Sequence, residues 1–350
     1  GLNGSERFHK KNRYGFFPSA GLAWNIHNEK FWEPLTEIVK QFKVRATYGF
    51  IGNDAIGGAN DRFFYLSDVN LNDNGKSYSF GERYDQNRPG VSINRYENIE
   101  ITWEKSQRVN LGMDLNIKDF TIVADYSTDY RTNILMDRAF IPSTMGLAAA
   151  VRANVGEAKS EAFEASVDYN KGFQSGYWLG LRANFTYATN RFEVYEESEY
   201  PKGEEYRSRV GNPLSQGYGY IAERLFIDEE DIRNSPVQTF GEYMPGDIKY
   251  RDVNRDGRIT AADQIPLGFP TSPEVTVGFG FSMGYKGLDF SSFFSGLGRR
   301  SFWMDYSSTS PFINDQRAFL KAYADNQWTA DNQNLYALWP RLSSSINNNN

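Results

Sequence analysis

The sequence contains no cysteine and only two histidines among its 350 residues. Without cysteine the chain forms no disulfide, uses no thiol nucleophile and binds no metal through sulfur. His9 and His27 fit neither a catalytic triad nor a metal-ligand spacing, so we expect both in exposed loops. Acidic residues are plentiful, but no spacing singles out a pair for acid–base chemistry. We therefore expect no enzymatic activity.

A long apolar run and an excess of basic charge are also missing. No apolar stretch approaches the roughly eighteen residues of a membrane-spanning helix, so the chain does not cross a bilayer as a helix. The net charge of −6 gives no broad basic surface, and we expect no nucleic-acid partner. These absences leave a β-rich protein that binds or transports as the main class to consider.

Apolar and polar residues alternate in eight segments, as expected for β-strands whose successive side chains point to opposite faces of a sheet. Val109 and Leu111, for example, flank Asn110. The predicted strands are residues 14–25, 42–48, 109–117, 120–130, 163–169, 177–187, 275–285 and 288–292.

The connections between these strands alternate between very short and very long. We expect tight turns at Lys118-Asp119, Lys171 to Gly176 and Lys286-Gly287. Roughly seventeen residues, with a short helix, join the first two strands. The other stretches are roughly fifty, thirty and eighty residues long, which indicates functional loops or disorder. Because outer-membrane barrels carry turns on one side and long loops on the other, the rhythm predicts an all-β, antiparallel transmembrane β-barrel with long extracellular loops.

Two other classes share parts of this pattern. A soluble or surface β-rich, calcium-stabilised glycan-binding module would also alternate, but its strands would not need a lipid-facing side. A passive porin has the same hairpins without a plug. Aromatic residues near the strand ends suit the girdle of a barrel, although core packing explains them too: Trp24, Tyr48, Tyr130, Tyr187 and Tyr285.

One loop has the spacing of an EF-hand-like calcium site. Its oxygen-bearing side chains stand at positions one, three and five, and Gly257 at position six permits the sharp turn. Aspartate replaces the usual glutamate at position twelve, as in dockerin-like modules. The alternative is a turn-rich acidic loop held by hydrogen bonds. The expected ligands of a Ca²⁺ ion are Asp252, Asn254, Asp256, the carbonyl of Arg258, Thr260 and Asp263.

Several motifs together resemble the barrel of SusC/RagA-type TonB-dependent transporters, and the resemblance covers nearly the whole chain. They include Arg13 to Ser19, Lys43 to Gly49 and Gly52-Asn53, followed by Thr102 to Lys105 and Asn110 to Asp114. The most specific match is Pro245 to Tyr250 running into the acidic loop. The remaining matches are Gly217 to Tyr220 with Leu225-Phe226, and Tyr285 to Phe290 with Phe293-Phe294 and Gly296.

The resemblance implies a plugged 22-stranded barrel in the outer membrane. It also implies a SusD-like surface lipoprotein that acts as a lid, energy relayed by TonB, and import of an oligosaccharide or a peptide. Residues 1–350 would all belong to the barrel domain, with the plug and the final barrel strands outside this sequence. The tight turns would then face the periplasm, and the acidic loop would lie outside the cell.

Aromatic residues in the long loops are the expected contacts for a ligand or for the lid, because aromatic faces stack on sugar rings and bury apolar area. Packing within the loops is the alternative. The residues are Phe64 and Tyr65, within Phe63 to Tyr65, and Tyr218 and Tyr220.

Overall fold

The computed structural model describes residues 1–58, 61–305, 320–343 and 347–349. The chain divides into two compact units. The sheet unit comprises Gly1–Glu199, Arg209–Leu214 and Pro273–Arg299. The loop unit comprises Tyr200–Ser208, Ser215–Ser272 and Arg300–Asn350.

Eight strands of the sheet unit form one antiparallel sheet in which every strand pairs with its neighbours along the chain. This simple meander is the topology expected of a barrel wall. The strands are β1 (Ser19–Asn25), β2 (Val39–Asn53), β3 (Glu104–Ile117), β4 (Phe120–Asp137), β5 (Arg152–Gly172), β6 (Tyr177–Val194), β7 (Val275–Tyr285) and β8 (Leu288–Gly298).

The first predicted strand is too long at its N-terminal end. Tyr14–Phe16 pairs with Leu2–Gly4 in a separate two-stranded sheet, and β1 begins only at Ser19. Pro18 lies between the two and has no backbone N–H to donate to a ladder, so the alternation on its two sides belongs to different sheets.

Short and long connections leave opposite ends of the sheet, as predicted. The turns 118–119, 173–176 and 286–287 lie at one end, together with 26–38, which contains two 3₁₀ helices, Ile26–Asn28 and Lys30–Leu35. Both Lys286 and Gly287 have positive φ, as a type I′ hairpin turn requires. The other end carries 54–103, 138–151 and 195–274.

The connection between β4 and β5 is shorter than expected, because both strands extend beyond the predicted segments. The ladder between them shifts register between Arg131 and Ile134, and Asn133 has a φ of 59°. A bulge of this kind inserts an extra residue and reverses the alternation. The period-2 pattern therefore ends near Tyr130 although the strand continues to Asp137.

One face of the sheet is apolar and exposed. Leu22 is 82% exposed and Leu111 52%. An exposed apolar face of this extent needs an apolar surrounding, which the interior of a bilayer provides. A single row across this face, read from the strand register, consists of Leu22, Ala46, Leu111, Tyr126, Phe163, Tyr187 and Val275.

The opposite face is polar, and its charges are paired across strands. Arg45 of β2 donates to Asp114 of β3 at 2.8 Å and also contacts Asp125 of β4. Arg182 of β6 donates to Asp168 of β5 at 2.6 Å. Apolar-out and polar-in alternation is the pattern of a barrel wall with a polar interior.

A small hydrophobic core lies among the connections of the sheet unit. Trp103 is its centre, with ring centroids 5.2 Å from Phe8 and 5.3 Å from Phe17. Ile56, Phe64 and Ile101 complete the buried cluster. The connection 54–103 also carries a separate hairpin, Asp68–Phe80 with Gln86–Arg95. A 3₁₀ helix, Ser143–Met145, lies between β4 and β5.

The loop unit is built from short strands and single helical turns. In its described part, the α-helices are Glu229–Arg233 and Lys321–Ala324, and the 3₁₀ helices are Glu205–Arg207 and Ala261–Asp263. Among the residues described here, no helix is both long enough and apolar enough to cross a membrane. The strand pairs are Gly217–Gly219 with Ile265–Leu267, Ala222–Leu225 with Ile248–Tyr250, and Val237–Gln238 with Arg258–Ile259.

Candidate functional site

The motif Pro245 to Tyr250 fixes the centre of the loop unit. Asp247 is fully buried and binds Arg341 through two contacts, Nε to Oδ1 at 2.7 Å and Nη2 to Oδ2 at 3.0 Å. The N–H of Met244 donates to the same carboxylate at 2.9 Å. Burial raises the pKa of Asp247, whereas these hydrogen bonds oppose that shift. The motif therefore joins two segments that are far apart in the sequence.

Gly246 has a structural reason to be glycine. Its φ is +88°, and a Cβ atom there would lie 2.4 Å from the indole ring of Trp328. Arg341 also donates its backbone N–H to the Gly246 carbonyl at 3.0 Å. The backbone of the motif thus lies against the Trp328 ring and the backbone of Arg341.

A second ion-pair network holds the strand Ile248–Tyr250 against Ala222–Leu225. Arg224 donates to both oxygens of Asp231, at 2.6 and 2.8 Å, and Lys249 donates to Asp231 at 3.0 Å. The Arg224 guanidinium, aided by Lys249, holds the pKa of Asp231 well below its usual range. One carboxylate is thus shared by two cations within the loop unit.

The acidic loop is held by hydrogen bonds from its own backbone. Asp252 accepts from the N–H groups of Arg255 at 2.7 Å and Gly257 at 2.8 Å. Asp263 is fully buried and accepts from Val253 and Thr260, each at 2.8 Å. This arrangement fits the alternative of a loop held by hydrogen bonds.

The remaining predicted calcium ligands take part in the same network. Asn254 accepts from the N–H of Asp256, and Asp256 accepts from the N–H of Arg258 at 2.8 Å. Thr260 caps the 3₁₀ helix Ala261–Asp263. Within the described ranges, no three His, Cys, Asp or Glu side chains converge as a metal site. A calcium ligand set that includes amide, hydroxyl and carbonyl oxygens stays a prediction.

Two of the four predicted aromatic contacts lie together in the loop unit. Tyr218 donates its hydroxyl to the Ser208 carbonyl at 2.9 Å, and Tyr220 packs on Phe240 with ring centroids 4.9 Å apart. Both line a cavity of about 650 Å³, which we call the aromatic cavity. Its other lining residues are Gly219, Ile248, Tyr250, Gln264, Leu338, Trp339, Pro340, Asn347 and Asn348.

The other two predicted contacts lie in the sheet unit. Phe64 is only 2% exposed and lies under the Arg95 guanidinium, 4.2 Å from it, so its position favours packing over ligand contact. Tyr65 is half-buried and packs edge-on against His9. His9 is therefore half-buried, whereas the sequence predicted an exposed histidine.

Sequence patterns did not point to several residues of the aromatic cavity. Trp339 and Gln264 stand in stretches without periodicity. Tyr250 is the last residue of the motif Pro245 to Tyr250. The motif does not show that its ring lies beside Tyr220, with ring centroids 5.3 Å apart. Their proximity arises only when the short strands pair.

Comparison with known proteins gives consistent relatives. No family model matches the chain. TonB-dependent receptor P3 of Formosa agariphila is 25% identical over 304 residues, which cover 83% of this chain and 29% of that protein. TonB-dependent receptor SusC of Bacteroides thetaiotaomicron is 26% identical over 301 residues, covering 83% and 28%. The chain is homologous to SusC-type TonB-dependent receptors. The chain spans less than a third of the length of these relatives.

The solved structures confirm the fold of this segment. The RagAB peptide importer in its closed-closed state superposes with a TM-score of 0.67 at 20% identity, over 99% of this chain and 37% of that one. The open-open state gives 0.66 at 21% identity. The predicted all-β outer-membrane barrel segment is confirmed, and the relatives are named as TonB-dependent receptors.

Proposed function

We propose that the protein containing this segment imports a polar oligomer across the outer membrane, with energy relayed by TonB and with a SusD-like lipoprotein as its lid. The oligomer is an oligosaccharide or a peptide. The single observation that carries the proposal is an antiparallel wall with an exposed apolar face and a paired-charge polar face, in a homologue of SusC. The match to a peptide importer supports the same class of activity.

The two units would have different tasks in such an importer. The sheet unit would supply part of the barrel wall, whose polar face lines the interior. Ion pairs such as Arg45 with Asp114 leave few free charges on that face, so a polar solute meets a hydrogen-bonding surface instead of one strong charge. The loop unit would meet the ligand and the lid outside the cell.

Growth and uptake test the proposal in the native host. We compare the wild type with strains that lack this gene, the adjacent lid gene or TonB, each supplied with neutral oligosaccharides or peptides as sole carbon source. On one of the two carbon sources, oligosaccharides or peptides, we expect each of the three deletions to abolish growth. Growth that requires the gene but survives loss of TonB and of the lid would instead identify a passive porin.

The acidic loop gives a separate proposal, a structural Ca²⁺ ion bound by Asp252, Asn254, Asp256, the Arg258 carbonyl, Thr260 and Asp263. Carboxylate, amide and carbonyl oxygens are the ligands that Ca²⁺ prefers. Isothermal titration of the full-length protein with calcium should show saturable binding, and Asp252→Ala should abolish it. Chelator should also speed proteolysis of the loop. Absence of heat together with unchanged proteolysis would refute the site.

A further inference from the structure

We propose that the aromatic cavity binds a neutral oligosaccharide, which narrows the ligand class of the importer proposed above and rests on that function. The cavity holds about 650 Å³ between the strand Gly217–Gly219, the strand Ile248–Tyr250 and the segment around Trp339. This volume accommodates a few sugar rings, since small-molecule sites commonly range from about 300 to 1,000 Å³.

The lining favours an uncharged ligand. Among the described residues that line the cavity, none carries a charge at neutral pH. The nearby charged groups are engaged in other contacts: Asp247 binds Arg341, and Lys249 shares Asp231 with Arg224. Asp263 accepts the backbone N–H groups of Val253 and Thr260. A free peptide brings charged termini, and burying them without a partner is costly. A neutral saccharide has no such cost.

The aromatic rings offer apolar faces for sugar rings, and other aromatic side chains hold them in place. Tyr220 is supported by Phe240, with centroids 4.9 Å apart, and Trp339 stacks on Tyr323 at 4.4 Å. Aromatic packing of this kind restricts the orientation of each ring before a ligand arrives. Preorganisation lowers the entropic cost of binding.

Amides and hydroxyls supply the polar part of the site. The side-chain amides of Gln264 and Asn348 carry both donors and acceptors, which match the vicinal hydroxyls of a sugar. Asn347 lines the same side, but its amide already donates to the Glu242 carbonyl and accepts from the Asn349 N–H. Gln264 follows the 3₁₀ helix Ala261–Asp263, so the acidic loop sets its position. Its side chain also hydrogen-bonds the Tyr220 hydroxyl.

The tyrosines stay neutral across the physiological range. Burial raises the pKa of Tyr220, although the hydrogen bond from Gln264 opposes it, and burial raises the pKa of Tyr250 to about 12. Both hydroxyls therefore stay protonated at neutral pH. We expect the affinity for a neutral sugar to stay constant between pH 6 and pH 9.

Binding to the full-length transporter with its lid, in lipid nanodiscs, tests the inference. The probes are maltohexaose, xylohexaose and an inulin-type hexasaccharide, with hexagalacturonate and an uncapped hexapeptide as charged comparators. We expect at least one neutral hexasaccharide to bind more tightly than both comparators. Tyr220→Ala and Trp339→Ala should each weaken that binding at least tenfold, while Tyr220→Phe should have a smaller effect.

Two further variants separate lost contacts from misfolding. Leu338 is 57% exposed at the cavity, so Leu338→Trp should block binding without removing a buried contact. Tyr78→Ala changes a tyrosine that is 69% exposed in the sheet unit, and it should leave binding unchanged. Thermal unfolding of each variant checks its fold.

Three results would overturn the inference. They are failure of every neutral hexasaccharide to bind, tighter binding of a charged comparator, and unchanged sugar binding in both Trp339→Ala and Leu338→Trp. The import function would survive each of these results if uptake of peptides or acidic sugars still required TonB. Loss of TonB dependence for every solute would refute the import function itself.

Discussion

Replacing Leu111 by arginine should destabilise the membrane-embedded protein by about 2–4 kcal/mol, the cost of a basic side chain on the lipid face near the bilayer midplane. Leu111 lies near the middle of β3 and is 52% exposed on the apolar face. Its neighbours across the sheet are Ala46 and Tyr126. Neither neighbour carries a negative charge that could neutralise a guanidinium.

Asn110→Arg is the matched control for this substitution. Asn110 is adjacent in sequence, so its side chain points to the polar face, between Thr47 and Ser127. Guanidinium unfolding of the full-length protein in phospholipid vesicles, followed by tryptophan fluorescence, gives both free energies of unfolding. Equal losses for the two variants would mean that the apolar face does not contact lipid.

Replacing Arg341 by methionine should cost about 3–5 kcal/mol in the loop unit at pH 7, because it leaves a buried carboxylate without its cation. The exposed pair Arg251–Glu223 provides the control, since Arg251→Met should cost less than about 1 kcal/mol. Hydrogen exchange at the amide of Ile248, which donates to the Asn349 carbonyl, reports the local free energy of opening. Similar losses for the two variants would contradict the structural role given to Asp247.

The Arg341→Met variant should recover stability on acidification. Burial raises the pKa of Asp247 above the usual value of an aspartate carboxyl, so the folded state binds this proton more tightly than the unfolded chain does. Stability then rises as the pH falls through the interval between the unfolded and folded pKa values. Removing Arg341 raises the folded pKa further and widens that interval upward. Asp247→Asn in the same variant should abolish the recovery, and a recovery that persisted would point to another group.

Period-2 alternation identified all eight sheet strands, and its failures have local causes. The alternation around Tyr14 continues into β1 in the sequence, but Pro18 separates two ladders. The bulge near Asn133 interrupts the alternation, so the sequence pattern does not show where β4 ends. In both places hydrogen bonding between distant segments decides the structure, and a local pattern does not contain that information.

The candidate site was harder to predict than the wall. The pair Tyr218 and Tyr220 was found because aromatic residues are conspicuous in a polar loop. The adjacent Phe63 and Phe64 gave no signal to show which ring is buried. Arg341 meets Asp247 only through a contact that spans 94 residues, a distance over which alternation has no meaning.

Cysteine labelling measures the sidedness of the chain most directly, because the segment itself contains no cysteine. Lys202→Cys lies in the long connection 195–274, and Ser175→Cys lies in the tight turn 173–176; both positions are exposed. Each is introduced into an otherwise cysteine-free, full-length protein. A membrane-impermeant maleimide should label Lys202→Cys on intact cells, and Ser175→Cys only after the outer membrane is permeabilised. Equal labelling of both on intact cells would contradict a wall that crosses the outer membrane with its long loops outside.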